Sequence, residues 1–355
     1  MKGKIRLANS LATVLAVAAL VFFYSVQPAR SAAAEAKLII QGAGATFPQP
    51  LYERWIQDYG RQHPEVTFKY EGVGSGSGVK GFLEGSLDFG ASDAAMNDAE
   101  LAKVDPAKGA IMLPMTAGMV VLAYNIPGVG DSLKLPRSVY LDIFAGKLSY
   151  WDHPRIRDAN PDLDLPHKAI VTVVRRDSSG TTFAFTNHLG RVDPSWKTDG
   201  PGVGKVVDWP GNALTARGNE GVAQLVTLTD GAIGFMAYDF AQRLKLPMAA
   251  LQNQSGAFVV PGAKTGQAAL ASADEIPADL RVYLPDPTGD NAYPIVSYSW
   301  LLLYEHYANP EVSQALKGAI NWGLDKGQAI AEEMGYIPLP EVMIGKARAA
   351  LARIQ

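Results

Sequence analysis

Three short segments of this 355-residue chain bring glycine and hydroxyl residues together: Gly44-Ala45-Thr46-Phe47, Gly72-Val73-Gly74-Ser75-Gly76-Ser77-Gly78 and Ser178-Ser179-Gly180-Thr181. Each stands before a predicted helix. A helix N-terminus exposes N–H groups with no intrahelical acceptor and a positive partial charge, and glycine lets an anion approach the backbone. One such segment alone reads as a turn. Three of them at the carboxyl ends of strands read as an anion site, because that is where open α/β sheets bind ligands. Charged residues sit among these turns. Asp93 closes Asp88-Phe89-Gly90-Ala91-Ser92-Asp93, and taken alone it reads as a cap for the next helix. Arg175 ends an apolar run with Asp177 two residues on, which taken alone reads as a surface ion pair of small energetic weight.

Other chemistries find less support. Gly76-Ser77-Gly78-Val79-Lys80-Gly81 satisfies G-x-G-x-x-G, yet no partner motif accompanies it, and the chain contains no G-x-x-x-x-G-K-[ST]. The nucleophile-elbow spacing G-x-S-x-G is absent from the glycine-serine run. The five histidines, His63, His153, His167, His188 and His306, are scattered and form no metal-ligand cluster by spacing. With no cysteine in the chain, disulfides and thiolate chemistry are excluded. No residue is therefore assigned a catalytic or metal-binding role, and no cofactor is expected.

The elements that must position these turns follow an alternating order. Lys37 to Ile40 reads as a strand, and a helix is predicted near Pro50 with Leu51, Trp55, Ile56 and Tyr59 on one side. Val66, Phe68 and Tyr70 alternate with polar residues as in a strand. Val79 to Glu84 reads as helix, and Leu87 to Ala91 and Met119 to Tyr124 as strands. In the second half, Ile170 to Val174 is a β-branched strand and a helix is predicted from Thr181. Asn219 reads as the cap of a helix carrying Val222, Leu225 and Val226. Asp230-Gly231 turns into a strand over Ala232 to Ala237, and Val312 to Leu324 and Gln328 to Met334 read as helices. Strands alternating with helices indicate an α/β fold with largely parallel sheets.

Composition agrees with a folded chain outside the membrane. Hydrophobic residues make up 48% and charged residues 19%, and this length exceeds what one core usually supports, so two lobes are expected. The start is different. Lys2, Lys4 and Arg6 precede an apolar run from Leu11 to Val26, and Ala32-Ala33-Ala34 follows. That order is a signal peptide over residues 1–34, cleaved before Glu35; the alternative is an uncleaved anchor. The leader carries four basic residues and no acid, so its removal takes the formal charge from −3 to −7. An acidic surface gives no footprint for nucleic acid and does not attract anions by its overall field. An anion site must therefore be local, built from amides, hydroxyls and one or two basic residues.

Gly42-Ala43-Gly44-Ala45-Thr46-Phe47-Pro48, Gly74-Ser75-Gly76-Ser77-Gly78-Val79, Asp88-Phe89-Gly90-Ala91-Ser92-Asp93 and Ser179-Gly180-Thr181-Thr182 occur in this order. Together they resemble the phosphate-binding proteins of Pst-type phosphate ABC transporters. Phe144-Ala145-Gly146-Lys147, Trp151-Asp152, Gly231-Ala232-Ile233-Gly234-Phe235 and Tyr293-Pro294-Ile295 extend the resemblance over nearly all of the chain after the leader. The resemblance implies an α/β, two-lobed, type II-like periplasmic binding protein. Each lobe would be a mostly parallel sheet flanked by helices, with the ligand in the cleft between them. The first lobe would comprise 35–123 and 293–355, the second 124–292, with hinge crossings at those boundaries. The chain would act as a periplasmic monomer, with inorganic phosphate and a membrane permease as its partners.

Carried over by resemblance, the phosphate ligands are Thr46, Phe47, Ser75, Asp93, Arg175, Ser179, Gly180 and Thr181, with Asp177 supporting Arg175. One departure is Ser178, where the family often has glycine. The chemistry is coherent: phosphate at neutral pH always carries a proton, which a carboxylate can accept, while sulfate has none to give. Two other readings remain. One is a secreted phosphatase using Ser179 or Thr181, which lacks a histidine base or metal set. The other is a binding protein for sulfate or another oxyanion, against which Asp93 argues.

Overall fold

In the computed structural model, residues 37–273 and 275–355 are described; the expected signal peptide lies outside them. The alternation read from the sequence runs through the first part as β1 (Leu38–Gly44), α1 (Gln49–Gln62), β2 (Val66–Gly72), α2 (Ser75–Leu83), β3 (Phe89–Ser92), α3 (Asp98–Leu101) and β4 (Ile111–Asn125). The middle contributes β5 (Lys134–Leu135), α4 (Arg137–Phe144), α5 (Pro154–Arg157), β6 (Val171–Arg175), α6 (Gly180–Val192), α7 (Ser195–Thr198), β7 (Leu214–Ala216), α8 (Gly218–Leu228), β8 (Ala232–Ala237) and α9 (Tyr238–Arg243). Then come β9 (Ala250–Gln252), β10 (Phe258–Val259), α10 (Ala263–Leu270), β11 (Val296–Leu303), α11 (Pro310–Asp325), α12 (Gly327–Glu333) and α13 (Glu341–Leu351). Among the described residues no helix is long and apolar enough to cross a membrane.

Eight strands hydrogen-bond in the order β2-β1-β3-β11-β4-β8-β6-β7. The outer pairs are parallel: β1 with β2 and β3, and β6 with β7 and β8. The middle pairs, β3–β11, β11–β4 and β4–β8, are antiparallel. Strand β4 explains this division. Its 15 residues are buried up to the last, so it reads as an apolar run without alternation. It pairs with β11 as far as Met119 and with β8 from Val120 onward. At that exchange the returning chain meets it, Val120 N–H donating to Ile295 O at 2.9 Å. Two groups of parallel strands are thus joined through β4 and β11, and both direct the turns after their strands toward the junction.

Packing fixes the helices that begin at those turns. On α6, Phe185 stacks on Phe235 at 4.7 Å and meets Phe144 edge-on at 4.8 Å. On α2, Gly78 lies so close to β1 and β3 that a Cβ would stand 2.6 Å from both Ala91 O and Gly44 Cα. Those are backbone atoms, which cannot swing aside. Gly60 on α1 has open space where its Cβ would be. Gly78→Ala is therefore expected to lower the free energy of unfolding by about 1–3 kcal/mol, as overpacking does. Gly60→Ala is expected to raise it by about 0.5–1 kcal/mol through helix propensity. Urea denaturation of both variants checks the pair.

Candidate functional site

The turns after β1, β2, β3 and β6 meet at the junction of the two strand groups, and a fifth strand-to-helix turn, after β7, joins them. Helix α8 begins at Gly218, so Asn219 lies inside its first turn and is not its cap. Asn219 is fully buried. Its Nδ2 donates to Thr46 Oγ1 at 2.9 Å and to Thr181 Oγ1 at 3.3 Å, while its Oδ1 accepts from Ala237 N–H at 2.9 Å. One amide thereby ties β1's turn to that of β6 and anchors both to β8. The sequence signal was Ala216-Arg217-Gly218-Asn219, a glycine with an amide side chain in place of a hydroxyl between a strand and a helix.

The hydroxyls share one arrangement. Thr46 Oγ1 accepts from the N–H and the side-chain amide of Asn219. Ser75 Oγ accepts from Asp93 N–H at 3.2 Å. Ser179 caps α6, its Oγ accepting from Thr182 N–H at 3.0 Å. Thr181 Oγ1 accepts from Arg175 Nη1 at 3.4 Å as well as from Asn219. Among the described residues Thr46, Ser179 and Thr181 donate to no protein acceptor, while the Ser75 hydroxyl also stands against the Asp93 carboxyl. A hydroxyl has a single hydrogen, so those three remain free to donate. Main-chain N–H groups at the same place are also unused by the protein: those of Thr46 and Phe47 after β1, and those of Gly180 and Thr181 in the first turn of α6. Glycine at 180 is required by contact, since a Cβ there would stand 2.5 Å from Ser75 Oγ and 2.6 Å from Asp93 Cβ.

Two readings of single residues change. Asp93 caps no helix: Asn97 caps α3 in a capping box with Glu100. Asp93 is instead buried, with Oδ1 accepting from Ser299 Oγ at 2.8 Å. Burial pushes its carboxyl up to about 7, against Ser299, the Arg175 charge and Ser75, which pull it down. Nor is Arg175–Asp177 a surface pair, for their side chains are 1% and 6% exposed. Arg175 Nε donates to Asp177 Oδ1 at 2.8 Å and Nη2 donates to Oδ2. Asp177 also accepts from Gly218 N–H at 3.0 Å. Burial opposes its charge, but the Arg175 contacts prevail and hold the carboxyl below its ordinary range. Arg176 points outward and is exposed. At Ser178, the departure from the family pattern, the carbonyl accepts from Gly76 N–H at 3.0 Å and joins the β2 and β6 turns directly.

An open cleft of about 530 Å³ borders this junction, lined by Thr46, Asp177 and Asn219 together with Gln49, Arg217 and Glu220. Among the described residues no cluster of three His, Asp or Glu could hold a metal ion. The site offers a convergent set of donors beside one buried carboxylate acceptor, which suits a small protonated oxyanion.

Fold and site together define a two-lobed α/β solute-binding protein. The family model for the PBP superfamily domain matches residues 31–326. A phosphate-binding protein PstS of Methanocaldococcus jannaschii is 40% identical over 327 residues, covering 86% of this chain and 83% of the relative. The PstS of Pasteurella multocida is 38% identical over 312 residues, covering 87% and 89%. The chain belongs to this family, the PstS phosphate-binding proteins. A periplasmic phosphate-binding protein named PfluDING, solved with phosphate bound, has a TM-score of 0.74 at 23% identity, covering 88% of this chain and 93% of that one. The phosphate-binding protein of Stenotrophomonas maltophilia has a TM-score of 0.71 at 21% identity, covering 88% and 94%. At these identities the two structures share the fold.

The buried ion pair gives a test of the architecture alone. Asp177→Ala leaves a guanidinium buried without its counter-charge, which is expected to cost about 3–5 kcal/mol of stability. Arg176→Ala on the adjacent exposed position is expected to stay within about 0.5 kcal/mol. Denaturant melts of the two variants measure the difference.

Proposed function

We propose that this chain captures inorganic phosphate in the periplasm and delivers it to the membrane permease of an ATP-driven importer, without chemical turnover. The observation that carries this reading is the hydroxyls of Thr46, Ser179 and Thr181, which already accept from the protein and so keep their hydrogens for a ligand. Together with the free amides of Phe47, Gly180 and Thr181 and the guanidinium of Arg175, they form a set of donors. Asp93 is the lone acceptor. Phosphate has acceptor oxygens for every donor and a proton for the carboxylate. The ligand set is thus Thr46, Phe47, Ser75, Asp93, Arg175, Ser179, Gly180 and Thr181, with Asp177 holding Arg175. The lobes on this reading are 35–123 with 293–355 and 124–292, closing about β4 and the Ile295 crossing.

The phosphatase reading has less to support it. His188, the histidine on α6, is bonded through both ring nitrogens, to Tyr140 Oη at 2.8 Å and Pro285 O at 2.7 Å. Burial depresses its basicity to a pKa of about 4. It is a packed core group, not a base beside Ser179.

Calorimetry on the protein without its leader is expected to show one phosphate bound per chain, with no phosphate released from phosphomonoesters. Turnover that disappears in Ser179→Ala would overturn the reading. Sulfate should be excluded while Asp93 is ionised, by roughly four orders of magnitude where a site is built around a substrate hydroxyl. Below a pH of about 7, Asp93 gains a proton and can donate to a sulfate oxygen. Sulfate affinity should therefore rise as pH falls through that value and decline as pH rises through it. Asp93→Asn should bind sulfate at all these pH values, and a variant that excludes sulfate as well as the parent does would refute the role.

The neighbouring arginines should separate cleanly. Arg175→Ala removes a charge-assisted contact of about 1.5–3 kcal/mol, or one to two decades of phosphate affinity. Arg176→Ala should change affinity little. The reverse ranking in a phosphate titration would contradict the ligand assignment.

A further inference from the structure

Strand β11 runs antiparallel to β3 with Trp300 opposite Ser92 and Leu301 opposite Ala91. Continued by one residue, this register sets Ser299 beside Asp93. Ser299 is fully buried and its hydroxyl donates to Asp93 Oδ1 at 2.8 Å. On the other side of β11, Thr116 faces Ser299 and Pro114 faces Trp300, so β4 carries Met115 as an extra residue between them. Proline has no N–H for a ladder, and a bulge is where an inner strand tolerates it. The bulge thus falls at the residue whose hydroxyl meets the carboxylate. Ser297 lies two residues back on the same face of β11. It reaches Asp93 differently, donating to the main-chain oxygen at 3.2 Å.

Resting on the phosphate reading above, we propose that Ser299 is a specificity-determining positioning residue. Its hydrogen bond occupies Oδ1 of Asp93 and holds Oδ2 as the acceptor offered to the ligand's proton. Two consequences follow from the chemistry of a carboxylate. A hydroxyl that donates to it favours the ionised form. An ionised Asp93 can accept from phosphate and repels sulfate, whereas a protonated one can donate to either. The charged and titratable groups near Asp93 come from several elements: Arg175 at the end of β6, Tyr52 on α1, Tyr70 on β2 and Tyr336 ahead of α13, with the Ser75 hydroxyl on α2. Arg175 is committed to Asp177. Burial raises the three tyrosines, so they stay neutral. Ser299 therefore stands first among the groups that offset the burial of Asp93.

The test measures sulfate and phosphate affinity across pH 5.5–9 for the parent, Ser299→Ala and Ser297→Ala, with folding checked by circular dichroism. In Ser299→Ala the midpoint below which sulfate binds is expected to move up by about one to two pH units, the effect of losing one hydrogen bond to a charge. Sulfate affinity at pH 9, the upper end of that range, should rise roughly tenfold or more with it. Ser297→Ala should keep the parent's midpoint. Ser299→Cys keeps the volume with a weaker donor and should fall between, which also covers a failure of the alanine variant to fold. An unchanged midpoint in Ser299→Ala, or an equal shift in Ser297→Ala, overturns the proposal while leaving phosphate binding intact. A parent that takes up no phosphate at any pH removes the phosphate reading itself.

Discussion

An anion moved out of water must find a donor for nearly every lone pair, or its burial costs several kcal/mol. That constraint organises this protein more than any net charge does. The site holds a single guanidinium, and Asp177 already neutralises it through two hydrogen bonds. Asp93 adds negative charge whenever it ionises. The ligand's charge must therefore be spread over dipoles: hydroxyls, main-chain amides and the first turn of α6. Such groups cost no long-range field, so an acidic protein can present them. They also carry geometry, which a lone lysine would not.

To serve as a donor, each hydroxyl must have its own lone pairs used by the protein. Asn219 satisfies Thr46 and Thr181, Asp93 N–H satisfies Ser75, and Thr182 N–H satisfies Ser179. Those partners come from three different turns. The sheet brings the turns together because β4 belongs to both strand groups, exchanging β11 for β8 between Met119 and Val120. Small residues then allow contact, most sharply where Gly180 abuts Ser75 and Asp93. The fold, the hydrogen-bond polarity and the glycine positions are one solution to a single requirement.

Much of this was legible in sequence where the signal is local. The strand before Arg175 and the helix after Ser179 are short-range patterns that form as read, whereas the glycine-serine run read as a turn up to Gly78 already enters α2 at Ser75. Legibility failed where partners are distant. Asn219 read as a helix cap because its contacts with Thr46 and Thr181 cross 173 and 38 residues. Asp93 read as a cap because nothing nearby announces that Ser299 lies beside it, 206 residues away. The first half of β4 escaped because Pro114 interrupts an apolar run that β11 then completes with a bulge. Strand β11 itself, Val296–Leu303, is buried throughout, so the alternation of Val296, Tyr298 and Trp300 with Ser297 and Ser299 marks no wet face. Periodicity marks elements with one wet face, and the central strands here have none.

The donors that recognise the ligand also bear on closure. Buried N–H and O–H groups left without acceptors cost about 1–3 kcal/mol each, and an empty closed site would hold several. The contacts that bridge the two halves away from the site are modest by comparison. Lys205–Glu100 and Arg281–Asp98 are ion pairs at 2.6 Å with partly exposed side chains, a kind that contributes about 0.2–1 kcal/mol apiece. They cannot offset a row of orphaned donors. On the proposed reading, closure without ligand would be unfavourable for the same reason that closure with ligand would be tight: the donors have nothing to bond until the oxyanion arrives. A ligand that satisfies them differentially in the closed form shifts the population by that difference. One lacking a proton for Asp93 forfeits part of it. On the proposed reading, selectivity and conformational coupling arise from one set of hydrogen bonds.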